Sequence, residues 1–116
     1  MKNVFIEKRL LSFKHAFNGI RHLWKNEINF RIHILTSTIV IALAALVEIT
    51  RTKWLLIFIC VGIVLAAEVF NSAIERICNF VSPEKNTQIK IIKDISAAAV
   101  LIVSVRTAII GAFIFC

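Results

Sequence analysis

Three long apolar stretches restrict this chain to a helical, membrane-spanning fold. They cover residues 32–49, 54–70 and 95–116, and each approaches the ~20 residues that a helix needs to cross ~30 Å of hydrocarbon. The strict alternation of polar and apolar residues that a membrane β-barrel requires is not seen. We therefore predict an all-α integral membrane protein with three spans, at about residues 30–49, 54–80 and 94–116.

The basic residues are distributed unevenly around these spans. Seven of the 14 Lys and Arg residues precede the first span and four lie between the second and third, whereas only Arg51 and Lys53 lie between the first and second. The positive-inside rule then places the N-terminus in the cytoplasm and the C-terminus outside. A net charge of +7 suits an anionic lipid leaflet. Because three spans make nucleic-acid binding a poor alternative, we expect no nucleic-acid partner.

The segments outside the spans have their own patterns. From Phe5 to Trp24, apolar residues recur at spacings of three and four with basic residues between them, which predicts an amphipathic helix at about residues 4–26 in the cytoplasmic interface. We expect residues 50–53 to form a tight external turn and residues 85–92 a short cytoplasmic loop. Ser82, followed by Pro83, indicates a turn or the N-cap of a new helix.

Polar residues interrupt the apolar pattern at the cytoplasmic end of the second span. Glu68, Asn71 and Glu75 lie at positions i, i+3 and i+7, so a helix presents all three on one stripe. An ionised group in hydrocarbon costs about 3 kcal/mol or more, which makes such residues candidates for function. Lys93 and Asp94 open the third span, and we expect them at the same membrane depth.

This set of residues has the parts that phosphoryl transfer needs. Two carboxylates can hold Mg²⁺ together with water and substrate phosphates, a lysine adds a positive charge for a polyphosphate, and the deeper Glu68 can accept a proton from a lipid hydroxyl. The scattered glycines, Gly19, Gly62 and Gly111, do not form a phosphate-binding loop. Because one chain of three spans encloses little, we expect a homo-oligomer with shared sites.

Two motifs carry a resemblance to a known family. The first is Glu68-x-x-Asn71-Ser-Ala-Ile-Glu75 with the later Lys93-Asp94, and the second is Trp24-x-Asn-Glu27-x-x-Phe30-Arg31. From about residue 13 onwards the sequence resembles the small prokaryotic diacylglycerol kinases, which include the undecaprenol kinases of Gram-positive bacteria. Residues 29–33 look more like the undecaprenol-kinase branch.

The resemblance implies a fold, an assembly and an activity. The chain would be a single domain over residues 1–116, assembled as a homotrimer in the bacterial plasma membrane. It would use ATP as co-substrate with Mg²⁺ to phosphorylate a lipid alcohol, undecaprenol or diacylglycerol, in a composite site between chains.

The same resemblance implies roles for individual residues. Glu68 corresponds to the catalytic proton acceptor, and Glu27 and Glu75 correspond to metal ligands that also contact ATP. Further ATP contacts are expected at Lys8, His15, Glu84, Lys85, Asn86, Lys93 and Asp94. Contacts with the lipid substrate are expected at Arg21, Trp24, Asn29, Arg31, Glu68 and Asn71.

Several positions depart from the family pattern or have a simpler interpretation. Asn79 stands where the family commonly has Asp, which we expect to weaken nucleotide binding, and Asn86 replaces a frequent His. Arg106 lies inside the third span, where it can pair with Glu48 if their depths match, or extend towards the interface. His33 is interpreted as a packed histidine without a catalytic role.

Two other functions are compatible with the same residues. A small oligomeric transporter would use Glu68 as a proton-coupled carboxylate and would not need Lys93 or Asp94. A structural membrane subunit would use the polar stripe to hold helices together, and it would show no dependence on Mg²⁺. The position of the charges at the cytoplasmic end, away from the membrane midplane, favours the enzyme.

Overall fold

The chain folds into α-helices joined by short connections. The computed structural model describes residues 3–116, and over this range the helices are α1 (Val4–Asn26), α2 (Ile28–Val47), α3 (Arg51–Val81) and α4 (Thr87–Phe115). The helices α2, α3 and α4 are each long and apolar enough to cross a membrane. The prediction of an all-helical chain with three such helices is therefore confirmed, whereas the position of α1 at a membrane surface stays a prediction.

The connection between α2 and α3 covers residues 48–50, so it is shorter than predicted and begins earlier in the sequence. Glu48 ends α2 in the left-handed conformation, with φ 58°. The hydroxyl of Thr50 accepts a hydrogen bond from the backbone N–H of Lys53 and so caps α3, which begins at Arg51. The predicted turn at residues 50–53 is wrong, because this cap satisfies a free N–H group and allows residues 51–53 to be helical.

The loop between α3 and α4 is also shorter than predicted. The side chain of Asn86 accepts hydrogen bonds from the N–H groups of Gln88 and Ile89, and α4 begins at Thr87. Ser82 ends α3, with its N–H donating to the carbonyl of Cys78, and it does not cap a new helix. The predicted loop at 85–92 is therefore wrong from residue 87 onwards, because Asn is a strong N-cap and residues 87–93 contain no helix breaker.

The helices pack around α3, which contacts both α2 and α4, while α1 packs against α2. A small apolar core forms between Ala44, Ile57 and Ile114, at the end of the bundle opposite to α1. At this end Lys53 Nζ also donates a hydrogen bond to the carbonyl of Ile114, at 3.2 Å. The other end, where α1 joins α2, is where Glu27, Glu68 and Glu75 lie.

Large apolar surfaces stay uncovered in the single chain. The radius of gyration is 17.7 Å, compared with about 13 Å for a compact globule of this length. Large side chains such as Phe17, Phe58 and Phe113 are exposed. Such surfaces are expected of helices that meet lipid or other chains.

Arg106 lies on an exposed part of α4. Within residues 3–116, no ion pair joins it to Glu48. The pairing that we considered from the sequence is therefore not formed in the single chain.

Candidate active site

The polar stripe of α3 is buried in the single chain. Glu68 is 3% exposed and Asn71 is 7% exposed, although both follow a strongly apolar stretch of the same helix. Asn71 Nδ2 donates to Glu75 Oε1 at 3.5 Å, and Glu75 is half-buried. The spacing i, i+3 and i+7 thus places the two carboxylates and the amide on one helix face.

The buried carboxylate of Glu68 contacts a histidine on the neighbouring helix. His33 Nε2 on α2 lies 3.5 Å from Glu68 Oε2. The sequence alone gives His33 no role, because the register between α2 and α3 cannot be obtained from either helix by itself. The one available signal was that His33 follows Glu27 by about 9 Å of helix rise, which places it near the depth of the acids.

Glu27 lies at the corner where α1 meets α2. Its N–H donates to the carbonyl of Leu23 and ends α1, while its own carbonyl accepts the first hydrogen bond of α2, from Arg31. Its carboxylate lies 3.3 Å from Arg76 Nη2 on α3. Arg76 is adjacent in sequence to Glu75, so the corner places Glu27 beside the stripe of α3.

Three carboxylates therefore share this end of the bundle. The charges of Glu27 and Glu75 both act on the carboxylate of Glu68. Such a concentration of acids next to an apolar bundle is unfavourable unless cations or hydrogen-bond donors compensate it. In the single chain Arg76 faces Glu27 and His33 faces Glu68, and a divalent cation would add to this compensation.

The donor set fits magnesium held together with a nucleotide. Among residues 3–116, no group of three or more His, Cys, Asp or Glu side chains is arranged to hold a metal ion, but Mg²⁺ commonly uses one or two carboxylates with water and substrate phosphates. The carboxylates of Glu27 and Glu75 are the hard oxygen ligands that it prefers. Beside Glu75, Asn71 Oδ1 is buried without a hydrogen-bond partner among residues 3–116, so it is free to accept a hydrogen bond from water or a ligand.

The adjacent residues Lys93 and Asp94 separate in the structure. Lys93 Nζ donates to Asn79 Oδ1 on α3 at 2.6 Å, one helical turn beyond Glu75. Asp94 is exposed and pairs with Lys90 Nζ at 2.7 Å. Because successive residues on a helix point about 100° apart, the structure brings Lys93 to the acidic end of α3 and leaves Asp94 outside this cluster.

A cavity lined mainly by polar and charged residues lies beside Lys93, between the end of α3 and the beginning of α4. Its volume is about 530 Å³, and both Asn79 and Lys93 line it. The three loop residues expected to contact ATP, which are Glu84, Lys85 and Asn86, also line it. Three of the lining side chains are lysines, so the cavity suits an anionic group.

An apolar groove of about 480 Å³ lies between α2 and α4, with α3 as its floor. Its lining runs from His33 at the acidic end to Ile114 at the opposite end and is almost entirely apolar. Because His33 both lines the groove and contacts Glu68, the groove leads to the buried carboxylate.

The remaining predicted contacts lie on exposed parts of α1 and the beginning of α2. They are Lys8, His15, Arg21, Trp24, Asn29 and Arg31. Lys8 precedes Glu27 by about 28 Å of helix rise, so the single chain does not bring these two residues together.

The sequence is similar to proteins of known classes. Residues 14–115 match the family model for prokaryotic diacylglycerol kinases. The chain is 34% identical to the undecaprenol kinase of Bacillus subtilis over 104 residues, which are 90% of this chain and 85% of that protein. It is 29% identical to the diacylglycerol kinase of Synechocystis (88% of this chain, 59% of that protein). It is 28% identical to the diacylglycerol kinase of Escherichia coli K12 (76% and 72%).

Proposed function

Because this chain belongs to the prokaryotic diacylglycerol kinase family and is a membrane lipid kinase, we propose that it transfers the γ-phosphate of MgATP to the hydroxyl of undecaprenol. The observation that carries the proposal is the buried Glu68, which lies between an apolar groove and a cluster of acids with a lysine nearby. We favour the enzyme over the transporter and the structural subunit considered from the sequence, because the relatives are named as kinases.

Two points support undecaprenol over diacylglycerol. The relative named undecaprenol kinase is 34% identical over 90% of the chain, whereas the diacylglycerol kinases of Synechocystis and Escherichia coli are 29% and 28% identical over smaller shares. Residues 29–33 also resemble the undecaprenol-kinase branch. A long apolar groove suits a polyprenyl chain, and it would accept the hydrocarbon of a diacylglycerol as well.

Different side chains of the site have different roles in the phosphoryl transfer. Glu68 accepts the proton of the lipid hydroxyl while the hydroxyl oxygen bonds to the γ-phosphorus of ATP. In the same step the bond between the γ-phosphorus and the β–γ bridging oxygen breaks, and that oxygen leaves with ADP. Lys93 and the lysine-lined cavity beside it hold the phosphates of ATP. Glu27 and Glu75 would hold Mg²⁺, which neutralises charge on the phosphate oxygens when it is bound.

We also propose the assembly and the orientation. The chain forms a homotrimer in the bacterial plasma membrane, with α1 on the cytoplasmic surface, the N-terminus inside and the C-terminus outside. The uncovered apolar faces support association of several chains, and the excess of basic residues near α1 supports the orientation. The separation of Lys8 from Glu27 supports sites shared between chains, because two such distant residues can hold one nucleotide only if they come from different chains.

A phosphorylation assay tests the proposal. Purified protein in detergent is supplied with γ-labelled ATP and with undecaprenol or a diacylglycerol, with and without Mg²⁺. We expect labelled lipid only with Mg²⁺, and a higher kcat/KM for undecaprenol. Equal kcat/KM values would refute the choice of undecaprenol, and absence of a labelled product with either lipid would refute the kinase itself.

A further inference from the structure

We propose that His33 is a positioning residue that holds the carboxylate of Glu68 in the orientation needed for proton transfer. The inference rests on the proposed function, in which Glu68 is the base, and it adds a residue that the sequence analysis left without a role. The observation behind it is the 3.5 Å separation between His33 Nε2 and Glu68 Oε2.

The surroundings of Glu68 require such a partner. Its side chain is 4% exposed, and a buried carboxylate is costly unless a donor or a cation faces it. Glu75 on the same face of α3 and Glu27 at the corner between α1 and α2 are acids, which cannot donate a hydrogen bond when ionised. Among residues 3–116, His33 is the basic side chain within ion-pair distance of Glu68.

The contact also fixes which oxygen remains for the substrate. A carboxylate has two oxygens, and His33 faces Oε2, which leaves Oε1 to receive the proton of the lipid hydroxyl. His33 lies on α2 and lines the apolar groove, so it holds Glu68 at the point where the groove ends. A carboxylate held in one rotamer is a better base than one that must first be ordered.

Two substitutions at position 33 separate the polar contact with Glu68 from the packing of the side chain. His33→Ala removes the donor, whereas His33→Gln keeps an N–H donor at a similar reach. Thr38→Ala is the matched control on α2, because Thr38 is exposed and its hydroxyl bonds to the carbonyl of Ile34, away from Glu68. All three variants are assayed with ATP and undecaprenol.

We expect His33→Ala to lower kcat by about 10- to 100-fold and to leave the KM for ATP within about twofold. His33→Gln should recover most of the lost kcat, and Thr38→Ala should match the wild type. A His33→Ala variant with normal kcat would overturn the inference, as would a His33→Gln variant no better than His33→Ala. Wild-type protein without kinase activity would refute the proposed function as well, so the two failures are distinguishable.

A second measurement does not depend on turnover. The protein is labelled with ¹⁵N in its histidine rings, and spectra of the wild type and of Glu68→Gln are compared at one pH. Loss of the carboxylate charge should move the ring resonances of His33 and leave those of His15 and His22, both on α1, unchanged. Unmoved His33 resonances would show that the contact is not formed and would overturn the inference.

Discussion

Asn79 on α3 accepts a hydrogen bond of 2.6 Å from Lys93 Nζ on α4. The family resemblance places an Asp at this position, and a carboxylate there would compensate the positive charge of Lys93. The neutral amide of Asn79 holds the amine of Lys93 in place without neutralising the positive charge of the amine. That charge can therefore attract an anionic ligand in the adjacent cavity. From this contact we predict that Asn79 favours nucleotide binding, which is the opposite of our expectation from the sequence, and the substitution described next distinguishes the two.

Asn79→Asp should raise the KM for ATP. The new ion pair is partly exposed and worth up to about 1 kcal/mol, so the KM should rise by up to about fivefold, with little change in kcat. Steady-state kinetics with ATP as the varied substrate measure it. Asn86→Asp adds the same charge in the same cavity without the contact to Lys93, and it should raise the KM less. A lower KM in Asn79→Asp would restore the earlier expectation.

Glu68→Gln should lower kcat by at least about 100-fold, because the amide cannot accept the proton of the lipid hydroxyl. ATP binding and the size of the assembly should be unchanged, because the amide has nearly the same volume. Turnover, calorimetry with MgATP and size-exclusion chromatography measure the three properties.

Glu48→Gln is the control for this substitution. Glu48 is exposed in the turn at the opposite end of the bundle, so its loss of charge should leave turnover unchanged. Normal turnover in Glu68→Gln would eliminate Glu68 as the base, whatever the control shows.

The parts of the site that lie on one helix could be predicted from the sequence. The stripe of Glu68, Asn71 and Glu75 follows from helix geometry alone, and the three apolar helices follow from length and composition. The beginning of α4 was also encoded, since Asn86 is a strong N-cap. The continuous apolar stretch begins only at Ile95, so a helix boundary drawn from hydropathy lies about two turns after the true start of α4 at Thr87.

Contacts between helices could not be obtained in the same way. The pairs His33–Glu68 and Asn79–Lys93 depend on the register at which two helices pack, and that register is set by many small apolar contacts. For the same reason Lys93 and Asp94 looked equivalent in sequence, although only Lys93 reaches α3. A single sequence constrains the face on which a residue lies but does not identify the residue opposite.

Glu75→Gln should weaken Mg²⁺-dependent nucleotide binding, because it removes one of the two carboxylates proposed to hold the metal ion. Calorimetry with ATP in the presence of Mg²⁺ should show at least about tenfold weaker binding, and turnover should require more Mg²⁺. Chelation of Mg²⁺ in the wild type should abolish both binding and turnover. Nucleotide binding that is indifferent to Mg²⁺ in the wild type would contradict the proposed metal site.

Asp94→Asn is the comparison for that experiment. Asp94 is exposed and faces Lys90, outside the cluster of Glu27 and Glu75, although the family resemblance assigns it to the nucleotide site. If Asp94 has the same position in the active protein as in the single chain, Asp94→Asn should change the Mg²⁺ dependence of turnover less than Glu75→Gln does. An equal effect would mean that the assembled protein brings Asp94 to the metal.

Glu48→Gly should stabilise the protein. Glu48 has φ 58°, a left-handed conformation that costs a residue with a Cβ atom about 1 kcal/mol and costs glycine almost nothing. We expect a higher midpoint of thermal unfolding in detergent and unchanged kinase activity. Glu48→Ala removes the same carboxylate but keeps the Cβ atom, so it should not raise the midpoint. Equal midpoints for the Gly and Ala variants would show that the backbone conformation at this turn does not limit stability.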